Sequence, residues 1–195
     1  VKARDVETGK LITIKATATV MCAGIWSDQL HESFGIKPGY HVTMSKGVHI
    51  VLPKSAIKST EGIILKTEKS VLFLIPWANQ WLVGTTDTPY TEDRSRPLAD
   101  RSDVEYIINE ANKVLKPKLK INDVIGVYAG LRPLVSNNKD SETTKLSREH
   151  TVDRSAPGFV SIAGGKYTTY RVMGKDVIDL AGVELRRIVA DSVTN

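Results

Sequence analysis

Short apolar runs with a two-residue period outnumber helical patterns in this sequence, and the two kinds of segment do not alternate regularly. That order is incompatible with a chain of repeated strand–helix–strand units. It points to an α+β fold, with a mixed or antiparallel sheet carrying a few helices. The chain has 195 residues, enough for one domain or a tight pair with a sizeable core. A content of 41% apolar and 25% charged residues excludes a disordered tail or a fibrous rod. No apolar run approaches the roughly 20 residues of a membrane-spanning helix. The single cysteine, Cys22, excludes an intramolecular disulfide framework and fits a reducing compartment.

Residues 6–10 form a turn signal, followed by the alternating Leu11, Ile12, Thr13 and Ile14, so the first 20 residues read as the inside of a sheet. Ser27 is a plausible N-cap for a short helix with Leu30 and Phe34 on one face, ending at Gly35. Residues 40–52 read as a strand, a bend at Gly47 and a second, buried strand. Residues 71–76 and 81–84 flank Ala78-Asn79 and read as a hairpin with a longer turn. Ser102 and Glu105 match a capping box for a helix over 102–116, with Val104, Ile107, Ile108, Ala111, Val114 and Leu115 as its apolar stripe. Residues 124–129 read as a strand that runs into Gly130-Leu131-Arg132-Pro133, and 136–143 as an exposed loop. A buried strand over 159–163 feeds Gly164-Gly165. The helix that follows, from about Thr169, places Val172, Met173, Val177, Ile178, Leu180 and Ala181 inside.

Four places carry candidate chemistry. The segment AGGKYTT (163–169) joins a buried strand to a helix start. Two glycines allow close backbone approach, and the helix start with Lys166 favours an anion or an electron-rich ring edge. A tight turn with a surface lysine is the equally valid alternative. Arg132 sits at the end of an apolar strand, with Pro133 fixing the chain after it. Its planar fork suits a phosphate or carboxylate, either of a ligand or of a structural partner. His49, among apolar neighbours, is a core histidine or, if it faces a pocket, a base for an alcohol proton. Asp87 in GTTDT (84–88) is a turn former or the orienting partner of a cation or histidine. Arg148 is a further anion ligand or half of an exposed ion pair. His31, His41 and His150 have no metal-ligand spacing, so no metal site is expected. The net charge of +5 permits an anionic partner, but basic clusters with interleaved aromatics are missing, so no nucleic-acid binding is expected.

Seven stretches, CAGIWSD (22–28), SKGVHIV (45–51), LIPW (74–77), VGTTDT (83–88), YAGLRPL (128–134), KLSREH (145–150) and IAGGKYTTYR (162–171), occur in an order and spacing that closely resembles the FAD-dependent glycerol-3-phosphate dehydrogenases of the respiratory type. The resemblance implies a substrate-binding cap domain of the D-amino-acid-oxidase-like type, with a strand and helix belonging to the FAD-binding domain. It implies oxidation of sn-glycerol 3-phosphate to dihydroxyacetone phosphate, with FAD as cofactor and a quinone as acceptor. His49 matches the proposed base, and Arg132 the arginine that orients substrate over the flavin. Arg148 and Lys166 match basic residues near substrate and flavin. Gly164, Gly165 and Thr168 match the loop and helix start beside the ring, and Gly24 the return of the chain toward the dinucleotide domain.

The same resemblance divides the chain into a return segment (1–35), the cap (36–158) and a strand, glycine loop and helix (159–195). The family's G-x-G-x-x-G fingerprint does not occur in these residues. The chain is therefore expected to be an internal slice that is inactive alone and holds FAD weakly or not at all. The parent is expected to be a peripheral protein of the cytoplasmic membrane face, and the resemblance is compatible with a homodimer. A glycerol-3-phosphate oxidase and a non-catalytic anion-binding module are the alternatives. The oxidases carry an insertion in this region that is not seen here.

Overall fold

The computed structural model describes residues 1–68, 71–136 and 149–193. In chain order the strands are β1 (Lys2–Arg4), β2 (Leu11–Thr13), β3 (Thr19–Met21), β4 (His41–Pro53), β5 (Ile63–Lys66), β6 (Val71–Trp77), β7 (Gln80–Gly84), β8 (Thr88–Tyr90), β9 (Gly126–Ser136), β10 (His150–Ala156) and β11 (Phe159–Gly164). The α-helices are α1 (Ser27–Ser33), α2 (Arg101–Asn112) and α3 (Tyr170–Glu184). They belong to two compact units, Val1–Val42 with Arg148–Asn195, and Thr43–Ser147. The mixed and antiparallel character expected of the sheets is present.

In the second unit the strands follow the order β5-β6-β7-β4-β8, and β9 also pairs with β4. Alternation makes each strand two-faced. Leu72 and Leu74 of β6, Trp81 and Val83 of β7, and Val48, Ile50 and Leu52 of β4 are fully buried. They pack against Val104, Ile107, Ile108 and Ala111 of α2. Each such aliphatic side chain contributes about 1.5–3 kcal/mol through removal from water. The other face is apolar as well, but open. Ile64, Phe73, Ile75 and Trp77 remain 70%, 38%, 43% and 63% exposed.

Several local expectations are corrected here. Residues 41–53 form one continuous strand through Gly47, not two strands with a bend. The β6–β7 hairpin closes in two residues, with Trp77 opposite Gln80 and Ala78 at φ 50°, not in a longer turn. Helix α2 is capped two residues earlier than Ser102. Asp100 is the N-cap and Asp103 the reciprocal partner, because both carboxylates also hold Lys46. Val114, beyond the end of α2, is 52% exposed. Strand β9 continues through Arg132 and Pro133 to Ser136, so Arg132 lies inside a strand. Most of the loop expected at 136–143 lies outside the described residues.

The first unit is built on β11, flanked by antiparallel β10 and parallel β3. Val160 and Ile162 pack with Val177 of α3, and Val152, Met173 and Leu180 border them. Val172 and Ile178 are 55% and 50% exposed, against expectation, because they lie off the face that α3 turns to β11. Ser27 is the first helical residue of α1, with Trp26 as N-cap, and its hydroxyl donates to the Gly24 carbonyl at 2.8 Å. Leu30 and Phe34 are partly exposed while His31 is 1% exposed. His31 Nε2 meets Ser155 Oγ at 3.2 Å, and Ser155 donates to Asp153 at 2.6 Å. The β1–β2 hairpin is exposed along most of its length, not the inside of a sheet.

Candidate functional site

On the open face of the second unit, His49 and Arg132 are laid down by two glycines. His49 of β4 opposes Gly84 of β7. A Cβ on Gly84 would come within 2.5 Å of the imidazole, so only glycine leaves room for the ring. On its other side the His49 ring stacks on Tyr128 of β9, with centroids 5.0 Å apart and planes 4° from parallel. Burial, and then the positive charge of Arg132, lower the His49 pKa below its ordinary value. The imidazole is therefore neutral at physiological pH, the form that accepts a proton.

Arg132 reaches across β4 at Gly47, where a Cβ would stand 2.3–2.7 Å from the guanidinium atoms. Its Nη2 donates to Thr85 Oγ1 at 2.8 Å and its Nη1 to the Thr86 carbonyl at 3.2 Å. The carboxylate of Asp87 lies 3.9 Å from Nη1 and is itself 4% exposed. Asp87 also accepts a hydrogen bond from Ser45. The guanidinium is thus a fixed fork on an apolar sheet face, with 28% of its side chain open to solvent.

Beneath this face, Lys46 points to the core side. It is 5% exposed and pairs with Asp100 at 2.6 Å and Asp103 at 2.8 Å. Burial alone would lower the Lys46 pKa, but hydrogen bonds to Asp100 and Asp103 outweigh it, and the net direction is upward. The ammonium staples the start of α2 to the strand that bears His49.

In the first unit, Gly24 and the glycine loop share one edge. Ser161 of β11 opposes Met21 of the parallel strand β3. Strand β3 ends at Met21, with Gly24 just beyond it at φ 54°, and β11 ends at Gly164, with Gly164 and Gly165 at φ 78° and 80°. They therefore leave from adjacent carboxyl ends of parallel strands, the usual place for ligands in such sheets. A Cβ on Gly165 would stand 2.5 Å from Met173 Sδ. Lys166 and Thr168 are exposed at the turn that leads into α3. Thr169 Oγ1 accepts from the Lys166 N–H at 3.3 Å and donates to the Lys166 carbonyl at 3.0 Å, fixing that turn. This side-chain-free edge beside a lysine and a helix start fits the ring of a flavin. His150 borders it, 2.7 Å from Asp176.

His49 and Arg132 are brought together on one face of the second unit. Gly24, Gly164, Gly165, Lys166 and Thr168 belong to the first. Arg148 lies outside the described residues. Sequence reasoning missed Tyr128, Thr85, Thr86, Ser45 and Lys46. The alternation of Ser45, Gly47 and His49 on one strand face was the signal that could have found Ser45. Among the described residues no cluster of three metal-ligating side chains occurs, and no helix is long and apolar enough to cross a membrane.

The family model described as FAD dependent oxidoreductase matches residues 1–176. A glycerol-3-phosphate dehydrogenase of Mycobacterium leprae is 45% identical over 194 residues, covering 100% of this chain and 33% of its own length. The glycerol-3-phosphate dehydrogenase of Bacillus halodurans, solved in complex with FAD, superposes with a TM-score of 0.83 at 33% identity, over 98% of this chain and 37% of that one. Glycine oxidase from Geobacillus kaustophilus shares the fold, with a TM-score of 0.58 at 18% identity, over 96% of this chain and 46% of that one. The chain spans about a third of the length of the curated relatives it matches. With its mixed sheets and its glycine edge at paired strand ends, this chain belongs to the FAD-dependent oxidoreductase family, on the side of the glycerol-3-phosphate dehydrogenases.

Proposed function

We propose that this chain supplies the substrate-facing sheet of an enzyme that oxidises sn-glycerol 3-phosphate to dihydroxyacetone phosphate. The observation that carries the reading is the Arg132 fork, fixed over Gly47 on the same face as a neutral His49. FAD, when bound, supplies the hydride acceptor. Arg132 binds the anionic substrate and orients it. His49 accepts the proton of the C2 hydroxyl as the C2 hydride departs, so both the charge and the proton of the alcohol have a destination on this face. Lys166, beside the glycine edge of the first unit, supplies positive charge for a ring that gains electrons, and Arg148 is the further anion ligand that the resemblance implies.

The second unit is the cap in this reading. The glycine edge of the first unit, Gly24, Gly164, Gly165 and Thr168, lies against the ring. The exposed row of Ile64, Phe73, Ile75 and Trp77 supports a face that the rest of a longer enzyme covers. Electrons leave to a quinone. The parent enzyme sits peripherally on the cytoplasmic face of its membrane, acts as a homodimer, and needs its remaining segments for flavin binding and turnover.

Anaerobic addition of glycerol 3-phosphate to the full-length flavoenzyme tests the reading. Bleaching of the oxidised flavin band is expected, with dihydroxyacetone phosphate formed in equal amount. An unchanged spectrum at millimolar substrate would overturn it.

A further inference from the structure

One edge of β4 is paired first by β7 and then by β8, but in different registers. His49 opposes Gly84, whereas Lys46 opposes Thr88. Gly47 and Val48 therefore face Thr85, Thr86 and Asp87, two residues against three, which is a β-bulge. A bulge breaks the backbone ladder and leaves peptide groups to be satisfied in another way. Here a side chain replaces the missing rung. Thr86 Oγ1 accepts from the Val48 N–H at 3.0 Å and donates to the Lys46 carbonyl at 3.3 Å, and Thr86 is 3% exposed.

Because the Thr86 hydroxyl faces β4, its own carbonyl is left to receive Arg132 Nη1 at 3.2 Å. Thr85 Oγ1 donates to that same carbonyl at 3.0 Å while it accepts from Arg132 Nη2 at 2.8 Å. These two acceptors of the guanidinium thus hang on one buried hydroxyl. We propose that Thr86 is a positioning residue for Arg132: its side chain stands in for a strand rung so that the bulge backbone can aim the guanidinium across Gly47. The proposal rests on the reading of Arg132 as the substrate-binding cation.

The test uses the full-length flavoenzyme with Thr86→Val, Thr86→Ser, Arg132→Lys and the Thr86→Val/Arg132→Lys double variant. Thr86→Val keeps the volume and loses the hydroxyl. It should raise KM for glycerol 3-phosphate about tenfold with kcat within about twofold. Thr86→Ser should restore the wild-type KM. In the Arg132→Lys background the effect of Thr86→Val should shrink to less than about twofold, because the group it positions is gone. Additive penalties, a Thr86→Ser enzyme as impaired as Thr86→Val, or an unchanged KM in Thr86→Val would each overturn the proposal.

Independently of turnover, arginine-selective labelling of Arg132, read by peptide mass spectrometry, should accelerate several-fold in Thr86→Val and not in Thr86→Ser; unchanged labelling would also overturn it. Thr86→Ala, with the same expected outcomes, replaces Thr86→Val if the latter does not fold. A wild-type enzyme that shows the labelling pattern yet does not turn over glycerol 3-phosphate sinks the substrate reading and leaves the positioning role standing.

Discussion

The guanidinium of Arg132 occupies the space that a side chain at Gly47 would fill, with its atoms 2.3–2.7 Å from the position of the missing Cβ. The neighbour that must yield to a new methyl is the far end of a flexible side chain, not backbone. Gly47→Ala in the full-length enzyme should therefore keep the fold and displace the arginine. Steady-state kinetics should show KM for glycerol 3-phosphate raised about tenfold or more, the worth of a charge-assisted hydrogen bond, with a melting temperature close to wild type. A large loss of stability with unaltered KM would contradict this placement of Arg132.

Gly84→Ala should behave differently. Its Cβ would meet the His49 ring at 2.5 Å and the Val48 carbonyl at 2.8 Å, so both a side chain and the ladder must move. Stability should fall by about 1–3 kcal/mol, the range for overpacking. Turnover should fall with it, since His49 leaves its place against Tyr128. Thermal melting and kcat measured on the same preparation check the pair of effects.

Burial and then Arg132 depress the His49 pKa, so the imidazole stays neutral below the ordinary histidine range near 6.5. The acid limb of kcat/KM should lie below that value. Arg132→Met removes the cation and should shift the limb toward higher pH, whereas Arg132→Lys should leave it nearly in place. The stability sign follows from the same direction. A depressed folded pKa contributes stability that is present above the unfolded value and is lost as pH falls through the interval between the two. His31, lowered chiefly by burial, contributes in the same sense. Melting temperatures measured across that interval should fall with pH, and less steeply for His49→Gln.

Asp103 is 5% exposed, caps α2 through the Asp100 N–H at 2.9 Å, and pairs with Lys46 at 2.8 Å. Asp103→Ala removes the cap and takes from a buried ammonium its one buried carboxylate, leaving the exposed Asp100 and the Leu98 carbonyl. Chemical denaturation should show a loss of about 3–5 kcal/mol, the cost of breaking a buried pair on one side. Arg101→Ala, whose ion pair with Glu105 is exposed, should change little.

Much of this architecture was legible because it rests on local periodicity. The alternation in 71–76 and 81–84 placed two strands, and the stripe from Val104 to Ala111 placed the face of α2. What stayed hidden depends on partners far away in sequence. Asp100 and Asp103 look no better as caps than Ser102 until Lys46 arrives from more than 50 residues earlier. Gly47 reads as a break in a strand because the side chain that fills its place belongs to Arg132. The parallel pairing of β3 with β11 joins segments about 140 residues apart, and no local pattern announces it. Among the candidate residues, the types of His49 and Arg132 in the second unit and of Lys166 in the first were visible as chemistry, whereas Tyr128 and Thr86 act through shape and through a single hydroxyl.

The bulge opposite Gly47 also sets a counting rule for this stretch of chain. Gly84 and Thr88 are an even number of residues apart, yet the first pairs with His49 on the open face and the second with Lys46 on the core face. The odd residue in the bulge performs that inversion. Deleting one residue between them would leave two residues against two, so Thr88 would still meet Lys46 and Tyr90 would stay buried opposite Met44, while the bulge that brings Thr85 and Thr86 to Arg132 would be gone. The extra residue therefore serves the guanidinium and not the strand: a single-codon deletion would straighten the ladder and keep its faces, and would take away the acceptors that aim Arg132.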